Sequence, residues 1–398
     1  MAPWQWVVVA IATGLNALDG FDVLSISFAA PGIAKAWHLN RADLGIVLSM
    51  ELIGMAGGSL LLGRMADRYG RRPVILACLL AMLAGMTLAA TSQSVWQLSV
   101  WRVLTGLGVG GMLAAVNAVT AEVSNARWRS LCVSMMVIGY PIGSVIGGTF
   151  AATLLRQGDW RVVFEVGAAA TAAFIPLVVF WLPETPAFLA LPLHHDGGTR
   201  TSMTELFKHG LRWTTVLITL AYFMHFSSHY FILKWAPKIV ADMGFAQSAA
   251  AGVLVQAQIG GTIGGVVFGL LSQKISLRGL TISALCGAAV MLVVFGHGQA
   301  NLSELSWMAF STVMFTNSGI VGLYAMLARV YPTALRGTGT GFVIGVGRGA
   351  AALAPMLVGW LFNQGQGLQV VAAVMAGAAL IAAVALLGVR YDAPLDVA

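Results

Sequence analysis

The chain has 398 residues, of which 58% are hydrophobic and only 9% are charged. A soluble domain carries roughly 25% charged residues, so this composition cannot cover a water-facing surface of the required size. Most of the surface must face lipid, which excludes a soluble enzyme or binding module. The net charge of +7 does not indicate a nucleic-acid partner, because the cations lie in short loops between apolar runs.

Long apolar runs follow one another through the whole chain, separated by short polar breaks. A bilayer span needs about 20 mostly apolar residues, and on this basis the sequence predicts an all-α membrane protein with about twelve transmembrane helices. The predicted helix centres are Asp19, Ile53, Ala81, Gly108, Pro141 and Ala172 in the first half, and Phe226, Gly260, Ala288, Asn317, Ala350 and Ala379 in the second.

The longest polar interruption runs from His194 to Arg212 and divides the chain into two halves. It predicts an N-terminal six-helix bundle over residues 1–190, a cytoplasmic linker over 191–211 and a C-terminal six-helix bundle over 212–398.

The two halves share a weak pattern. When the first half of the sequence is aligned with the second so that Gly63 matches Gly269, the same alignment places Asp19 on His225. Two pseudo-repeats of six helices, with a binding site between them at the middle of the membrane, are typical of secondary transporters.

A charged stretch from Gly63 to Arg72 separates the predicted second and third helices, which indicates a tight loop at a membrane surface. Lys and Arg are retained on the cytoplasmic side, and most cations of this chain fall on the side of this loop. An even number of helices then places both termini on that side. The sequence thus predicts a multi-pass protein of the cell inner membrane with cytoplasmic termini.

Asp19 and Asp22 lie midway along the first predicted helix, on one face. A charge at the bilayer centre costs at least about 2.5–3.5 kcal/mol, so such residues are functional candidates. Two neighbouring carboxylates in a low-dielectric cavity suit a site that loads and releases one proton. The alternative is a helix cap or a structural pair bonded to a neighbouring helix.

Two further charges lie inside predicted helices. Glu51 is interpreted either as a second proton site or as the partner of a buried cation. Arg102 would neutralise an ionised Asp19 or Asp22, which would couple protonation to conformation, or it forms a purely structural ion pair.

Glu122 and Arg129 flank the next predicted cytoplasmic loop. Their position favours a gating ion network with Asp67 and Arg71 over a place in the cavity.

Arg348 is the strongest candidate for binding substrate. It lies about 12 residues beyond the loop-proximal Arg336, which places it ~18 Å into the membrane. A guanidinium stays charged and binds a carboxylate with two parallel hydrogen bonds. An anionic substrate is therefore predicted, although pairing with a helix carboxylate across the bundle is the alternative.

His225 and His229 share one face of the seventh predicted helix. No third ligand is evident nearby, so no metal site is predicted. The pair forms either a polar cavity wall or inert packing. Tyr140 and Tyr324 are further candidates for lining the cavity, because aromatic side chains stack on flat ligands.

The loop Gly63-Arg-Met-Ala-Asp67-Arg68-Tyr-Gly-Arg71-Arg matches the pattern G-x-x-x-D-R-x-G-R-R at every position. In this it resembles the loop between the second and third helices of the major facilitator superfamily.

Over nearly its whole length the chain resembles one branch of that superfamily, the aromatic acid:proton symporters. Leu18 to Asp22 is similar to the D-G-[FY]-D signature, and Arg102 to Gly108 to R-x-L-T-G-L-G. Leu182 to Leu189 is similar to L-P-E-S-P-R-F-L, with Ala187 in place of the usual arginine. Tyr331 to Arg348 is similar to the Y-P-T-x-x-R and G-x-G-R stretch.

The resemblance implies proton-coupling roles for several residues and places the two C-terminal arginines in the transport path. The residues predicted for proton coupling are Asp19, Asp22, Arg102, Glu51 and Glu122. Those predicted for substrate binding are Arg348, Tyr140, His225, Tyr324 and His229. Those predicted for gating are Gly63, Asp67, Arg68, Arg71, Arg129 and Arg336.

The predicted function is proton-coupled import of a small organic carboxylate, most simply an aromatic acid such as a benzoate derivative, by alternating access. The partners are this anion, protons and the lipid bilayer; no cofactor is expected, and one chain is expected to act as a monomer. A drug:proton antiporter and a symporter of a non-aromatic organic acid are the alternatives. No nucleophile–base set or soluble domain favours a membrane enzyme or a sensor.

Overall fold

A computed structural model describes residues 1–125, 127–157, 159–185, 206–207, 211–298, 301–331 and 336–389. Long helices make up nearly all of this part of the chain. In order they are α1 Pro3–Ala36, α2 Arg41–Tyr69, α3 Arg71–Ala90, α4 Val95–Val123, α5 Arg129–Leu154, α6 Arg161–Trp181, α7 Arg212–Asp242, α8 Gln247–Leu271, α9 Leu277–Gly296, α10 Leu302–Val330, α11 Arg336–Asn363 and α12 Leu368–Gly388.

Twelve helices in the described residues are long and apolar enough to cross a membrane. Each predicted centre falls inside the corresponding helix, so the all-α prediction with twelve spans is confirmed. In hydrocarbon every backbone polar group needs an internal partner, and a helix provides one within its own segment.

The helix ends follow local sequence signals. Asn40 and Asn301 cap α2 and α10, where their side chains accept hydrogen bonds from backbone N–H groups of the first turn. Ser94 caps α4 in the same way. Gly70 separates α2 from α3 with a φ of 103°, a conformation that favours glycine. The break between the second and third predicted helices is therefore a single residue.

Glycine allows several helix pairs to approach closely. A Cβ atom built at Gly143 of α5 would collide with the backbone of Ala17 on α1, and one built at Gly106 of α4 would collide with the carbonyl of Glu51 on α2. Gly260 of α8 lies equally close to the backbone of Phe310 on α10. Small residues at such crossings let van der Waals packing hold membrane helices together.

Contacts between the first six and the last six helices join α1 to α7 and α8, α2 to α11, and α5 to α8. We call the end of the helices that carries Pro3 the termini end and the opposite end, which carries Ala36, the far end. At the far end Arg41 of α2 forms an ion pair of 3.1 Å with Asp242 of α7. Gly45 also packs against the backbone of α11 there. The two halves are therefore closed together at the far end.

The termini end differs. Within the described residues, every side-chain hydrogen bond or ion pair between the two halves involves the far end or the middle of the helices. A Cβ atom built at Gly341 or Gly345 on α11 meets nothing within 4 Å. Tyr324 of α10 is 44% exposed. The space between the halves thus opens toward the termini end.

The close approach of α1 and α5 gives a test of the packing. Gly143→Ala adds a Cβ atom against the Ala17 backbone, and overpacking of this kind costs about 1–3 kcal/mol. We expect the apparent unfolding temperature in detergent micelles, measured by scanning fluorimetry, to fall by more than about 5 °C. The matched control is Gly377→Ala on α12, where the added atom meets nothing within 4 Å. Equal unfolding temperatures for the two variants would contradict the described crossing.

Candidate functional site

Six charged side chains lie in the middle of the described helices. Five of them are buried, and Arg348 is half-buried. If all six are ionised, the three negative and three positive charges cancel. The residues are Asp19 and Asp22 of α1, Glu51 of α2, Arg102 of α4, Lys234 of α7 and Arg348 of α11.

Glu51 and Arg102 form the centre of this cluster. A guanidinium nitrogen of Arg102 lies 2.5 Å from the Glu51 carboxylate, and both side chains are fully buried. The same nitrogen donates to the backbone carbonyl of Asp22 at 3.0 Å. Another Arg102 nitrogen lies 3.3 Å from the sulfur of Met86, and the guanidinium lies over the Phe164 ring, 5.4 Å from its centroid. The sequence left Glu51 as either a second proton site or the partner of a buried cation, and in the structure it is the partner of a buried cation.

The Asp22 carboxyl group has no hydrogen-bond partner among the described residues, although it is fully buried. Arg102 binds the backbone of Asp22 and pairs its charge with Glu51 instead. Gly167 of α6 is beside one of the carboxyl oxygens. Burial of an ionised carboxylate without partners is costly, so this position suits a group that carries a proton.

Asp19 lies one turn earlier on α1, and one of its carboxyl oxygens is also buried without a partner. The charges that act on it are those of Arg348 from the other half and Glu51. Arg348 forms no hydrogen bond or ion pair within the described part of the chain. Asp19 and Arg348 therefore lie near each other although they belong to opposite halves.

An aromatic wall extends along α7 beside Arg348. The rings of Tyr222 and Phe226 are stacked at 4.3 Å, and Tyr324 of α10 meets Tyr222 edge-on at 5.8 Å. Tyr230 continues the wall, with its ring 6.1 Å from Phe226. Half-buried Tyr140 of α5 lies near Tyr230 and Asp19, so it adds a phenol from the first half. The Tyr140 and Tyr324 predictions thus fall on residues that border one space.

The two histidines are held against α10. The Nε2 atom of His225 lies 2.7 Å from the backbone carbonyl of Thr316, and the Nδ1 atom of His229 lies 2.9 Å from the hydroxyl of the same residue. Both rings are buried. Of the predicted substrate residues, these two are the ones that the structure places in packing contacts instead of at the open space.

Glu122 lies at the termini end, away from Asp19 and Asp22. Its carboxylate forms an ion pair of 3.1 Å with Arg71 and accepts a hydrogen bond of 2.6 Å from Thr185. Glu122 thus pairs with Arg71, one of the residues predicted for gating, while its gating and proton-coupling roles both stay predictions.

The other predicted gating residues are partly described. Arg68 is exposed beside the Tyr69 ring, and Arg129 is exposed at the start of α5. Gly63 and the side chains of Asp67 and Arg336 lie outside the part of the chain that the structure describes.

Glu184 is a residue that the sequence analysis did not single out. Its two carboxylate oxygens accept hydrogen bonds from the backbone N–H groups of Arg71 and Arg72, at 2.9 and 3.1 Å. A negative charge at a helix N-terminus is favourable because the free N–H groups there carry partial positive charge. Glu184 thereby ties the segment after α6 to the start of α3. The signal was its place in the Leu182-Pro-Glu-Thr stretch.

Lys234 was also missed. It lies near the end of the seventh apolar run, and the sequence analysis did not include it among the charges inside helices. In the structure it is fully buried, and its ammonium group lies 3.6 Å from Glu51. It is the fifth buried charge of the cluster and comes from the other half.

The energetics of the cluster can be tested by removing its central anion. Glu51→Gln leaves the buried cations Arg102 and Lys234 without a counter-charge, and breaking such a pair costs about 3–5 kcal/mol. We expect a marked loss of thermal stability in detergent micelles.

The double variant Glu51→Gln, Arg102→Met removes one of the two unpaired cations and is expected to be more stable than the single variant. Glu165→Gln, at an exposed position on α6, is the matched control. If the double variant is less stable than Glu51→Gln by the full effect of Arg102→Met alone, the two residues are not coupled.

Comparisons with known proteins find a family and relatives to which most of this chain is similar. The model of the Major Facilitator Superfamily matches residues 11–323. The "Gallate transporter" of Pseudomonas putida is 30% identical over 97% of this chain and 92% of its own. The "3-(3-hydroxy-phenyl)propionate transporter" of Escherichia coli (strain K12) is 31% identical over 92% of this chain and 90% of its own.

Solved structures share the fold. A D-xylose-proton symporter superposes with a TM-score of 0.78 and 18% identity, covering 97% of this chain and 98% of its own. The inward open conformation of the xylose transporter XylE from E. coli superposes with a TM-score of 0.76 and 19% identity, covering 96% of each chain.

Proposed function

The chain belongs to the Major Facilitator Superfamily of secondary transporters, and we propose that it imports a small aromatic carboxylate together with protons. The family consists of transporters, not enzymes. The finer assignment, to an aromatic acid and to proton symport, is our proposal and is argued from the central charges and the aromatic wall.

The proposal depends mainly on the position of Arg348 and on its lack of an ion pair in the described residues. It is a half-buried guanidinium in the middle of the membrane with no ion pair in the described residues, and it faces the space between the halves. A cation there is costly unless a partner balances it. A carboxylate ligand supplies that partner and binds through two hydrogen bonds. This supports an anionic substrate.

The side chains around Arg348 support an aromatic substrate. Tyr222, Phe226 and Tyr230 present ring faces and edges along α7, and Tyr140 and Tyr324 add phenols from two other helices. Flat rings stack favourably on such a surface. The two relatives described above are named for gallate and for a hydroxyphenyl propionate, which are both aromatic carboxylates.

Charge balance supports coupling to protons. The six central charges cancel when all are ionised, so one bound proton leaves an excess of one positive charge. One bound monoanion restores neutrality. Asp22 and Asp19 are the proton carriers in this scheme, because both carboxyl oxygens of Asp22 and one of Asp19 are buried without partners. The empty and the fully loaded forms are then both neutral inside the membrane, where an unbalanced charge is costly.

Residues 1–190 and 212–398 are the two moving bundles of this proposal, joined by the linker at 191–211. Rocking of one bundle against the other around a fixed site is the general form of alternating access. With both termini in the cytoplasm of a cell whose inner membrane holds the protein, the opening toward the termini end is an inward-facing state. One chain contains the whole path, so a monomer suffices.

The proposal is tested by uptake of labelled benzoate and 4-hydroxybenzoate into proteoliposomes under an inside-alkaline pH gradient. Wild-type protein is expected to accumulate the acid only while the gradient lasts. Asp22→Asn removes the proton carrier and Arg348→Ala removes the carboxylate partner, so each is expected to reduce accumulation at least about tenfold.

The matched controls are Asp43→Asn and Arg278→Ala, which alter half-buried groups near helix ends, away from the central charges. Accumulation that ignores the gradient would exclude proton coupling. Transport of cationic dyes without any uptake of acids would favour the antiporter, and uptake restricted to non-aromatic acids would favour a symporter of a non-aromatic organic acid.

The phenols of the aromatic wall lead to a prediction about selectivity. Tyr140→Phe and Tyr324→Phe keep the rings and remove one hydroxyl each. A hydrogen bond to a ring hydroxyl of the substrate contributes about 0.5–1.5 kcal/mol, so kcat/KM for 4-hydroxybenzoate is expected to fall about three- to tenfold relative to benzoate. Tyr69→Phe, at the exposed end of α2, is the control. An unchanged ratio in both variants would exclude these hydroxyls from substrate recognition.

A further inference from the structure

Asn16 is a buried polar residue of α1, with 4% of its surface exposed. Its Nδ2 atom donates hydrogen bonds to two backbone carbonyls of α5, those of Met136 at 2.8 Å and Val137 at 3.3 Å. Pro141 explains why such a donor is needed, because proline has no N–H group for the carbonyl four residues earlier, that of Val137. Asn16 therefore fills a gap that the proline leaves in α5.

These two bonds fix the orientation of the Asn16 amide. Both groups beside it are carbonyl oxygens, which only accept hydrogen bonds, so the nitrogen must face α5 and the oxygen must face away from it. That oxygen, Oδ1, is buried and has no hydrogen-bond partner among the described residues. A buried acceptor without a donor is costly, so we expect a donor to reach it at another stage of the transport cycle.

Asp19 lies beside Asn16 on the side of α1 that faces away from α5. Gly139 of α5 packs against the backbone of Thr13 and Ala17, which marks the α5 side of the helix. A helix turns by about 100° per residue, so Asn16 lies at the edge of this contact and Asp19 lies further round. Residues three apart on a helix are neighbours. The free amide oxygen is therefore directed toward the side that carries Asp19.

Asp19 contributes a second buried acceptor without a donor, since one of its carboxyl oxygens also lacks a partner in the described residues. While Asp19 is ionised, neither its carboxylate nor the Asn16 oxygen can donate, so the two cannot form a hydrogen bond. A protonated carboxyl group is a donor as well as an acceptor. One proton on Asp19 thus supplies the hydrogen that both residues lack.

We propose that Asn16 accepts a hydrogen bond from protonated Asp19, so that the two residues together form a proton-binding site. The inference rests on the proposed proton symport and goes beyond it by naming the group that stabilises the loaded carrier. The proton stays bonded to the Asp19 carboxyl group, and the amide oxygen of Asn16 accepts from it. Because this bond exists only in the protonated form, Asn16 favours proton loading without adding a charge to the membrane interior.

Several ionisable groups surround Asp19 and its immediate neighbours. Their charges act on Asp19 whether or not Asn16 is present, and the Asn16 variants below leave all of them in place. A change in pH dependence in those variants therefore reports the amide. The groups are Asp22 of α1, Glu51 of α2, Arg102 of α4, Tyr140 of α5, Tyr230 and Lys234 of α7, and Arg348 of α11.

The test is counterflow of labelled 4-hydroxybenzoate in proteoliposomes, at a series of pH values that are equal on both sides. The rate is expected to fall at high pH, since a symporter must be protonated to carry the anion. Asn16→Leu removes the acceptor, so the pH of the half-maximal rate is expected to fall by about half a unit to one unit, the equivalent of one hydrogen bond. In an Asp19→Asn background, Asn16→Leu is expected to have no effect on the pH profile.

Ser144→Ala is the matched control. The Ser144 hydroxyl also links α5 to α1, but it donates to the backbone carbonyl of Gly20, at 2.9 Å. A purely structural role for Asn16 would lower the rate at every pH and leave the pH of the half-maximal rate unchanged, as is expected for Ser144→Ala. An unchanged half-maximal pH in Asn16→Leu would overturn the inference, as would an equal shift in Ser144→Ala.

A second variant keeps the test decisive if Asn16→Leu folds poorly. Pro141→Ala returns an N–H group to the Val137 carbonyl, so the double variant Asn16→Leu, Pro141→Ala repairs α5 while the acceptor stays absent. It is expected to show the same shift in pH as Asn16→Leu, relative to Pro141→Ala alone.

Infrared difference spectroscopy tests the bond in the wild-type protein without any substrate. On lowering the pH, the C=O band of protonated Asp19, identified by its loss in Asp19→Asn, is expected to appear together with a shift in the side-chain amide band of isotope-labelled asparagine. An Asp19 band without the amide shift, or no Asp19 band, would overturn the inference. Wild-type uptake that ignores the pH gradient would instead contradict the proposed function and would leave the infrared result unchanged.

Discussion

The structure depends on one constraint, which is the cost of an unbalanced charge inside a low-dielectric membrane. Three carboxyl groups and three cations lie in the middle of the helices, and the burial of each charge depends on the opposite charges nearby. Arg102 tolerates full burial because Glu51 lies 2.5 Å away. Asp22 is left without a partner because the nearest cation is already paired. The result is a neutral cluster in which a single proton or a single anion changes the balance.

Helix packing sets this geometry. Gly106 of α4 meets the backbone carbonyl of Glu51, so the two helices approach closely at the level of the ion pair. A larger residue at this position would separate the helices and lengthen the pair. Gly143 likewise lets α1 and α5 approach closely near Asp19. Glycine therefore contributes to the electrostatics of the site, because the distance between backbones decides the distance between charges.

The asymmetry of the two ends gives the cluster its functional meaning. At the far end, the Arg41–Asp242 ion pair and close backbone contacts join the halves, whereas a Cβ atom built at Gly341 or Gly345 of α11, near the termini end, would meet nothing within 4 Å. The central charges lie between these two regions, and two of them, Glu51 and Lys234, pair across the halves. This pair therefore joins the two halves in the middle of the described helices.

The sequence by itself determined the twelve helices and their order, because hydropathy and helix length are local properties that the lipid solvent enforces on every segment. It also determined that Asp19, Asp22, Arg102 and Arg348 carry mid-membrane charge. The tertiary structure alone decided how the charges pair. Glu51 is bound by Arg102 and Lys234, which are distant from it in the sequence, and no sequence pattern singled out Lys234 as a buried charge. Such pairings depend on which helix faces pack together and how closely, and no local pattern records that.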